Sequence, residues 1–257
     1  MNLQLSEKVA IVTGASRGIG RSIAKFLSQE GMNLVLVARS GDQLNETAKL
    51  CKTECLIMSA DLRESGTAAV VVEAALQRFG KIDLLVNNAG ATKRGDFIEL
   101  SDEDWQEGFA LKLFGAMRLC RESWPYIEEQ KGSIINIVGI GGRTGSAEFT
   151  IGGSVNAALL NLTKALADRG GTNSVRVNAI NPSSIMTERL EKRFTAMAEN
   201  LNINHAEAAN RMSQKLGVDR FGYPDEIAAM VAFLASEHAN YCHGTIIDID
   251  GGKTHTL

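Results

Sequence analysis

The chain has 257 residues, with 27 lysine and arginine residues against 30 aspartate and glutamate residues, for a formal net charge of −3. That balance excludes a broad basic surface, so we expect neither nucleic acid nor a membrane as a partner. No apolar run is long enough to span a bilayer, and residues 1–8 lack the apolar core of a signal peptide. The sequence therefore predicts a single domain, residues 1–257, in the cytoplasm.

Apolar strands and amphipathic helices alternate along the chain. The predicted strands are residues 9–12, 33–38, 55–60, 82–86, 133–138 and 175–180. The predicted helices are residues 21–27, 42–50, 67–79, 102–122 and 155–168. Strands that are apolar almost throughout belong to parallel sheets with both faces covered. We therefore expect an α/β fold with a Rossmann-like, doubly wound parallel sheet in three layers, which binds ligands beyond the carboxyl ends of its strands.

A glycine-rich turn lies between the first predicted strand and the first predicted helix. Gly14 permits a tight turn, Gly18 lets the backbone approach a pyrophosphate, and Gly20 lets the helix pack close to the strand. The N-terminus of the helix attracts negative charge. The pattern predicts a dinucleotide-binding corner, and a tight turn without a ligand is the alternative interpretation.

The four cysteines and four histidines show no metal-ligand spacing. Cys51 and Cys55 are separated by three residues, with no second pair or histidine cluster to complete a site. We therefore predict free thiols in a reducing compartment and no metal site.

Five segments, in the correct order, resemble signatures of the short-chain dehydrogenase/reductase family. Residues 13–20 resemble its T-G-x-x-x-G-x-G cofactor loop, and residues 87–90 match its more specific N-N-A-G signature. Residues 61–62 resemble the acidic position after the third strand that receives the adenine. Residues 181–187 resemble the N-P-G-x-x-x-T segment that holds the nicotinamide amide, with serine where glycine is usual. Residues 220–228 and 250–252 resemble the C-terminal end of the family's sequences.

The resemblance implies a set of cofactor-binding residues that lie in these signatures. They are Gly14, Ser16, Arg17, Gly18, Ile19, Gly20, Asp61, Leu62, Asn88, Ala89, Gly90, Pro182, Ile185 and Thr187. Members of the family usually form dimers or tetramers through the long helices after the fourth and fifth strands. The resemblance therefore implies a homo-oligomer, either a tetramer or a dimer, with a small molecule as substrate.

The choice between the two nicotinamide cofactors follows from charge. Proteins of this fold that bind NAD usually place an acidic residue after the second strand, to bind the ribose hydroxyls. Here that position holds Arg39, and Arg17 in the glycine-rich turn lies on the same side. Guanidinium groups bind phosphate through paired donors, so we predict NADP(H) in preference to NAD(H). The alternative is that both arginines are solvated surface residues.

The family's usual chemistry uses a serine, a tyrosine, a lysine and an asparagine, and this chain has other residues at all four positions. Gly139 stands at the serine position after the fifth strand. Counting back from the segment that follows the family's lysine places Asn156 at the lysine and Gly152 at the tyrosine. Lys112 stands at the asparagine position in the preceding long helix. Phe149, one helical turn before Gly152, has no hydroxyl group.

Lys112 and Asn156 represent an exchange of lysine and asparagine across the expected active site. One hypothesis is that Lys112 supplies the positive charge from the opposite wall and transfers a proton, while Asn156 bonds the nicotinamide ribose. The other is coincidence, with Lys112 facing solvent or an acid and the site catalytically silent. The sequence thus leaves three classes of function: an NADP(H)-dependent oxidoreductase that acts on a carbonyl, alcohol or enone, a regulatory or assembly protein that binds the cofactor without turnover, and a non-redox enzyme. We favour the oxidoreductase.

Two further features concern the substrate. Glycines at residues 141–142 and 152–153 remove side chains beside the expected substrate position, which predicts either a roomier pocket or one where backbone groups contact the substrate. Residues 187–218 are helical and amphipathic and lie where the family carries a lid over its substrate. Their apolar stripe indicates a substrate with an apolar part, although the same stripe would also suit packing onto the domain. The stripe consists of Leu190, Phe194, Met197, Leu201 and Ile203.

Overall fold

Seven parallel strands form the central sheet of the protein, in a computed structural model that describes residues 1–172 and 174–255. The strands are β1 Val9–Thr13, β2 Asn33–Ala38, β3 Cys55–Ser59, β4 Leu84–Asn87, β5 Ser133–Ile137, β6 Arg176–Pro182 and β7 Ile246–Ile249. Their order is β3-β2-β1-β4-β5-β6-β7, and every neighbouring pair is parallel. The order changes direction between β1 and β4, which leaves a crevice at the carboxyl ends of these strands. The expected doubly wound fold is therefore confirmed, and β7 is a strand that the sequence analysis did not predict.

The helices cover both faces of the sheet. They are α1 Gly18–Gln29, α2 Gly41–Lys49, α3 Thr67–Phe79, α4 Asp102–Phe109, α5 Ala116–Glu129, α6 Thr150–Gly170, α7 Glu188–Leu201, α8 His205–Leu216 and α9 Pro224–Ala235. None of the helices in the described ranges is long and apolar enough to cross a membrane. The same ranges contain no group of three or more histidine, cysteine, aspartate or glutamate side chains that could hold a metal ion.

Strand β1 shows why its continuous apolar run forms a central strand. Successive side chains of a strand point to opposite faces of the sheet. Val12 packs in the apolar cluster beneath α1 and α9, which includes Ile23 of α1. Ile11 packs in the cluster on the other face, which includes Val71 of α3. Because both faces are buried, polar residues are excluded from the run.

The predicted long helix of residues 102–122 is interrupted, which corrects the sequence interpretation. Helix α4 begins with a capping box in which Ser101 and Asp104 bond each other's backbone amides. A π-helical turn, Ala110–Gly115, then separates α4 from α5. Turns of this kind are rare and concentrate at functional sites.

The predicted lid, residues 187–218, is helical as expected and consists of two helices, α7 and α8. The chain reverses at Asn202, which adopts a left-handed backbone conformation with φ of 50°. Leu190 and Phe194 of α7 pack against Met212 of α8 in a small apolar cluster of their own. Leu201 lies outside this cluster and is 50% exposed. Packing between the two helices therefore explains most of the apolar stripe, and the apolar part of the substrate stays a prediction.

Candidate active site

The glycine-rich turn joins β1 to α1 and requires glycine at three positions. Gly14 and Gly18 have φ of 65° and 55°, in the left-handed region that favours glycine. A Cβ on Gly20 would lie 2.2 Å from the carbonyl oxygen of Gly14, so α1 can approach the turn only with glycine there. Arg17 is the N-cap residue of α1, and no described side chain caps the helix. The amides of the first turn therefore point toward the crevice without a side-chain acceptor.

The other residues of the turn hold it in place. The carbonyl oxygen of Ser16 accepts a hydrogen bond from the Arg21 guanidinium at 2.5 Å. Ile19 packs against the core cluster on the α1 face of the sheet. Arg17 is 54% exposed at its side chain and pairs with Glu188 of α7 at 3.6 Å. The turn is thus linked to the start of the lid by an ion pair.

Thr13, at the end of β1, ties the turn to the segment that follows β4. Its hydroxyl accepts hydrogen bonds from the amides of Asn88 and Ala89 at 2.9 and 3.0 Å, and donates to the carbonyl of Val86 at 3.2 Å. The Asn88 side chain donates to the carbonyls of Thr13 and Gly14 at 2.9 and 3.3 Å. The side chain of Asn88, predicted to bind the cofactor, is therefore engaged in bracing the turn. The sequence analysis gave no such role to Thr13, although its position directly before the glycines was the available signal.

The end of β6 approaches the same turn from the other side. Pro182 is buried at the end of the strand and pairs with Ile249 of β7. A Cβ on Gly18 would lie 3.3 Å from the methyl carbon of Thr187, which places Thr187 beside the turn. Ile185 is 6% exposed and packs in the core cluster on the α1 face. Its side chain therefore points away from the crevice, and only its backbone remains for a ligand.

The expected adenine end of the site is polar on one side and apolar on the other. Asp61 pairs with Arg63 at 2.6 Å, and this guanidinium lowers the pKa of the carboxyl group. Leu62 is 5% exposed and contacts Gly115 of the π-helical turn. Arg39 is exposed at the end of β2 and forms no ion pair within the described residues. Its guanidinium is thus free to bind a phosphate at this corner.

Lys112 lies in the π-helical turn and reaches the carboxyl end of β5. Its Nζ donates a hydrogen bond to the carbonyl oxygen of Val138 at 2.5 Å. Its stem passes Gly90, where an added Cβ would lie 3.0 Å from Cδ of the lysine. Although the residue keeps some exposed surface, its ammonium group lies deep among protein atoms. Burial, and next the charge of Arg189, lower the pKa of Lys112 to about 7.

Asn156 reaches the same end of β5 from α6. Its side chain is 3% exposed, and its Nδ2 donates to the carbonyl of Gly139 at 3.4 Å. Its Oδ1 is buried and has no partner among the described residues. Lys112 and Asn156 therefore contact the carbonyls of two consecutive residues, and Asn156 keeps one acceptor available for a ligand.

The backbone at Gly139 is held by a polar network that the sequence analysis missed. Gly139 has φ of 126°, which side chains rarely adopt. Its amide donates to Oδ1 of Asn181 at 3.2 Å, and Asn181 donates to Asp248 at 2.9 Å. Arg143 pairs with Asp248 at 3.0 Å. The members come from distant parts of the chain, so no local pattern indicated the network.

Phe149 fills the space that the glycines leave, which corrects the expectation of a roomier pocket. A Cβ on Gly152 would lie 2.0 Å from the ring, and a Cβ on Gly141 would lie 2.9 Å from it. The guanidinium of Arg94 lies over the ring, 4.1 Å from its centroid. The place beside Gly152 is thus occupied by an aromatic ring and covered by a cation.

Together, the parallel sheet, the glycine-rich turn and the crevice define a dinucleotide-binding α/β protein. A family model described as Enoyl-(Acyl carrier protein) reductase matches residues 14–254. The chain is 30% identical over 262 residues to the 3-oxoacyl-acyl-carrier-protein reductase FabG of Thermotoga maritima, covering 97% of this chain and 99% of that protein. It is 32% identical over 253 residues to FabG of Chlamydia trachomatis, covering 96% and 98%. The chain belongs to the short-chain dehydrogenase/reductase family of oxidoreductases.

Solved structures of the family are similar over the whole chain. The L-sorbose reductase of Gluconobacter frateurii, complexed with NADPH and L-sorbose, has a TM-score of 0.96 and 33% sequence identity, covering 100% of both chains. YwfH, an NADPH-dependent reductase involved in bacilysin biosynthesis, has a TM-score of 0.90 and 28% identity, covering 98% of this chain and 100% of that chain.

Proposed function

We propose that this protein is an NADP(H)-dependent oxidoreductase that interconverts a carbonyl and an alcohol on a small molecule, or reduces an enone, with Lys112 as the group that transfers the proton. The observation that carries the proposal is the hydrogen bond from Lys112 Nζ to Val138 at the carboxyl end of β5. This bond holds an ammonium group at the expected active site. The residues at the family's tyrosine and lysine positions, as implied by the resemblance, are Gly152 and Asn156. Two of the similar solved structures are named for NADPH, which supports the choice of cofactor.

The residues around the crevice fit a phosphorylated dinucleotide. The glycines at positions 14 and 18 place no side chain at these two points of the turn, and the uncapped amides at the start of α1 suit a pyrophosphate. The exposed guanidinium of Arg39 suits the additional phosphate of NADP. When bound, the cofactor supplies the hydride for the carbonyl carbon.

Lys112 would act on the substrate oxygen. As the carbonyl carbon gains a hydride, the π-bond electrons move to the oxygen, and that oxygen takes a proton from the ammonium of Lys112. The neutral amine then regains a proton from water. With its pKa lowered to about 7, Lys112 exists in both forms near neutral pH, which suits a group that donates in one direction and accepts in the other.

Asn156 would position the cofactor rather than transfer a proton. Its amide nitrogen is engaged with Gly139, and its buried Oδ1 is an acceptor that needs a donor. A ribose hydroxyl is the donor that the family resemblance places there. This assignment predicts that Asn156→Leu weakens cofactor binding.

The test combines a binding measurement with turnover in the same sample. NADPH fluorescence is followed on titration with protein, and NADPH oxidation is then followed with ketones, aldehydes and enones. We expect binding and turnover in the wild type, loss of turnover with retained binding in Lys112→Met, and no change in the control Lys164→Met, an exposed lysine of α6. Unimpaired turnover in Lys112→Met would remove this residue from the mechanism.

A cofactor-binding protein without turnover is the second candidate, and one observation favours it. The ring of Phe149 occupies the place beside Gly152 and carries no hydroxyl group for proton transfer. NADPH binding without oxidation by any compound on the panel would favour this second candidate, with a regulatory or assembly role.

The assembly and location predicted from the sequence are part of the proposal. Val70 of α3 and Phe114 of the π-helical turn are 57% and 43% exposed, and contact with a second copy would cover such apolar surface. We therefore expect a tetramer or dimer in the cytoplasm, and sedimentation that shows only monomer would refute the oligomer.

A further inference from the structure

Three arginines on the substrate side of the crevice have no role in the proposed reaction. Arg94 lies in the segment after β4, and Arg189 and Arg193 lie on α7. The two helical arginines are four residues apart, so they share one face of α7. We call these three residues the arginine group.

Arg94 is an exposed residue whose guanidinium lies over the ring of Phe149, beside the expected substrate position. The amide of Gly95 donates to the carbonyl of Glu148 at 3.3 Å, which joins the segment after β4 to the residues before α6. The Arg94 guanidinium then stacks on Phe149, the ring that lies against Gly152. A stacked guanidinium keeps its N–H donors at the edge of its plane, where they can bind an anion in the crevice.

No acidic side chain among the described residues forms an ion pair with the arginine group. Within the described residues, none of its members forms an ion pair within 4.0 Å, whereas seven other arginines do. Those seven are Arg17, Arg63, Arg78, Arg121, Arg143, Arg211 and Arg220. The side chain of Arg189 instead donates to the carbonyl of Gly90 at 3.0 Å. No described group accepts a hydrogen bond from the side chains of Arg94 or Arg193.

Burial and neighbouring positive charge both act on the pKa values of Arg94 and Arg189. Partial burial, and next the charge of Arg193, lower the pKa of Arg94. Glu148 acts in the opposite direction, but its effect ranks below that of Arg193 and it is not within ion-pair distance. Burial and Arg17 lower the pKa of Arg189, and Arg189 in turn contributes to the lowered pKa of Lys112. An anion among these groups would relieve the repulsion.

We propose that the substrate of the proposed reaction carries an anionic group, a carboxylate or a phosphate, that is bound by Arg94 and Arg193. Arginine is the side chain best matched to both anions, because its donors can form two parallel hydrogen bonds to one group. The inference rests on the proposed function and narrows the substrate class to oxo acids, hydroxy acids and phosphorylated carbonyl compounds. The cofactor phosphates have separate partners at Arg17, Arg39 and the start of α1.

A binding experiment tests this inference without turnover. Malonate and methyl phosphate are titrated calorimetrically into the protein, with and without saturating NADP. We expect one of the two anions to bind the wild type. We expect its Kd to rise by roughly tenfold or more in Arg94→Gln and in Arg193→Gln. The control Lys192→Gln, an exposed neighbour on α7, should bind as the wild type does. The two probes distinguish a carboxylate site from a phosphate site.

The same titration identifies the results that overturn the proposal. Binding that is lost in Arg17→Gln but kept in Arg94→Gln would place the anion at the cofactor corner. Absence of binding by both probes in the wild type would also overturn it. Neither result would contradict the proposed function, because that function is tested by NADPH oxidation and by the Lys112 variant.

Turnover gives the second readout. Two pairs of compounds are compared: 3-oxobutanoate with its methyl ester, and dihydroxyacetone phosphate with dihydroxyacetone. We expect roughly tenfold higher kcat/KM for a charged member than for its neutral partner, and loss of this preference through KM in Arg94→Gln. Equal or better turnover of the neutral members would overturn the inference and leave the proposed oxidoreductase standing. If neither pair of compounds is turned over, the proposed oxidoreductase activity loses support. The calorimetric titration then tests the anion site by itself.

Discussion

The ring of Phe149 lies against the backbone of Gly152 so closely that a Cβ on Gly152 would be 2.0 Å from the ring. No real Cβ contact is that short, so the two residues depend on each other. A glycine at this position of α6 is what allows the ring to lie there, and the ring in turn supports Arg94. One wall of the site is therefore built from a glycine, an aromatic ring and a cation.

This dependence can be measured with a double-mutant cycle. Gly152→Ala should lower the free energy of unfolding by about 1–3 kcal/mol, because the new methyl group overlaps the ring. In the Phe149→Ala background, Gly152→Ala should lower the free energy of unfolding by less than it does in the wild type, because the ring is no longer there to overlap the new methyl group. Urea denaturation provides the measurement, with Gly145→Ala as the control because a Cβ there meets nothing within 4 Å. Equal destabilisation by Gly152→Ala in both backgrounds would contradict the contact.

Thr13 should be essential to the cofactor corner. Its hydroxyl accepts hydrogen bonds from two backbone amides, and Thr13→Val keeps the shape of the side chain while leaving both amides without that acceptor. We expect a loss of about 1–3 kcal/mol in stability and weaker NADPH binding, measured by urea denaturation and fluorescence titration. Thr195→Val, which changes an exposed threonine of α7, serves as the control. Wild-type stability in Thr13→Val would mean that water replaces the hydroxyl at no cost.

Arg39 should determine the preference between the two cofactors. Its guanidinium is exposed at the end of β2 and is free to pair with the 2′-phosphate of NADP. We expect Arg39→Ala to raise the Kd for NADPH by roughly tenfold or more and to leave the Kd for NADH unchanged. Arg211→Ala removes an arginine of α8 that pairs with Glu207 at 2.6 Å and should change neither constant. Tighter binding of NADH than NADPH by the wild type would refute the preference.

Lys112 should make the stability of the protein depend on pH in a defined window. Its pKa is lowered from 10.5 to about 7 in the folded protein, so between these values the unfolded chain binds more protons than the folded chain. Stability due to this group therefore rises with pH across that window, on the order of 1 kcal/mol per pH unit at most. Lys112→Met should lose this rise, and Lys164→Met should keep it.

The measurement is urea denaturation at pH 6.5, 8 and 9.5, with the difference between each variant and the wild type as the observable. A difference for Lys112→Met that is constant across pH would show that the ammonium is solvated in the folded protein.

The proton-transfer role predicts a pH profile for turnover as well. Reduction needs Lys112 protonated, so kcat/KM for carbonyl reduction should fall as pH rises through about 7. Oxidation of the corresponding alcohol needs the neutral amine and should show the opposite trend. Stopped-flow or steady-state absorbance of NADPH checks both directions. A flat profile in both directions would indicate that another group carries the proton.

The sequence by itself determined the fold class, while the cofactor corner and the exchange of Lys112 with Asn156 stay predictions made through the family resemblance. Apolar periodicity and glycine spacing are local properties, because they reflect which faces of one strand or helix are buried and which backbone angles one turn requires. Adjacent residues carry these signals, so the alternation of strands and helices and the position of the turn could be inferred without coordinates, whereas the strand order came only with the structure. The break of the helix at Ala110–Gly115 was missed because no proline or glycine marks the start of the π-helical turn.

Only the tertiary structure decided what surrounds those residues. The ring of Phe149 against Gly152 and Gly141, the brace from Asn88 to the glycine turn, and the bond from Lys112 to Val138 join different segments of the chain. Arg94 and Arg193 belong to segments about a hundred residues apart, and nothing in either segment marks them as neighbours. Such contacts depend on how separately formed elements pack, and that packing reflects the shape and charge of the whole chain rather than the pattern of any one stretch.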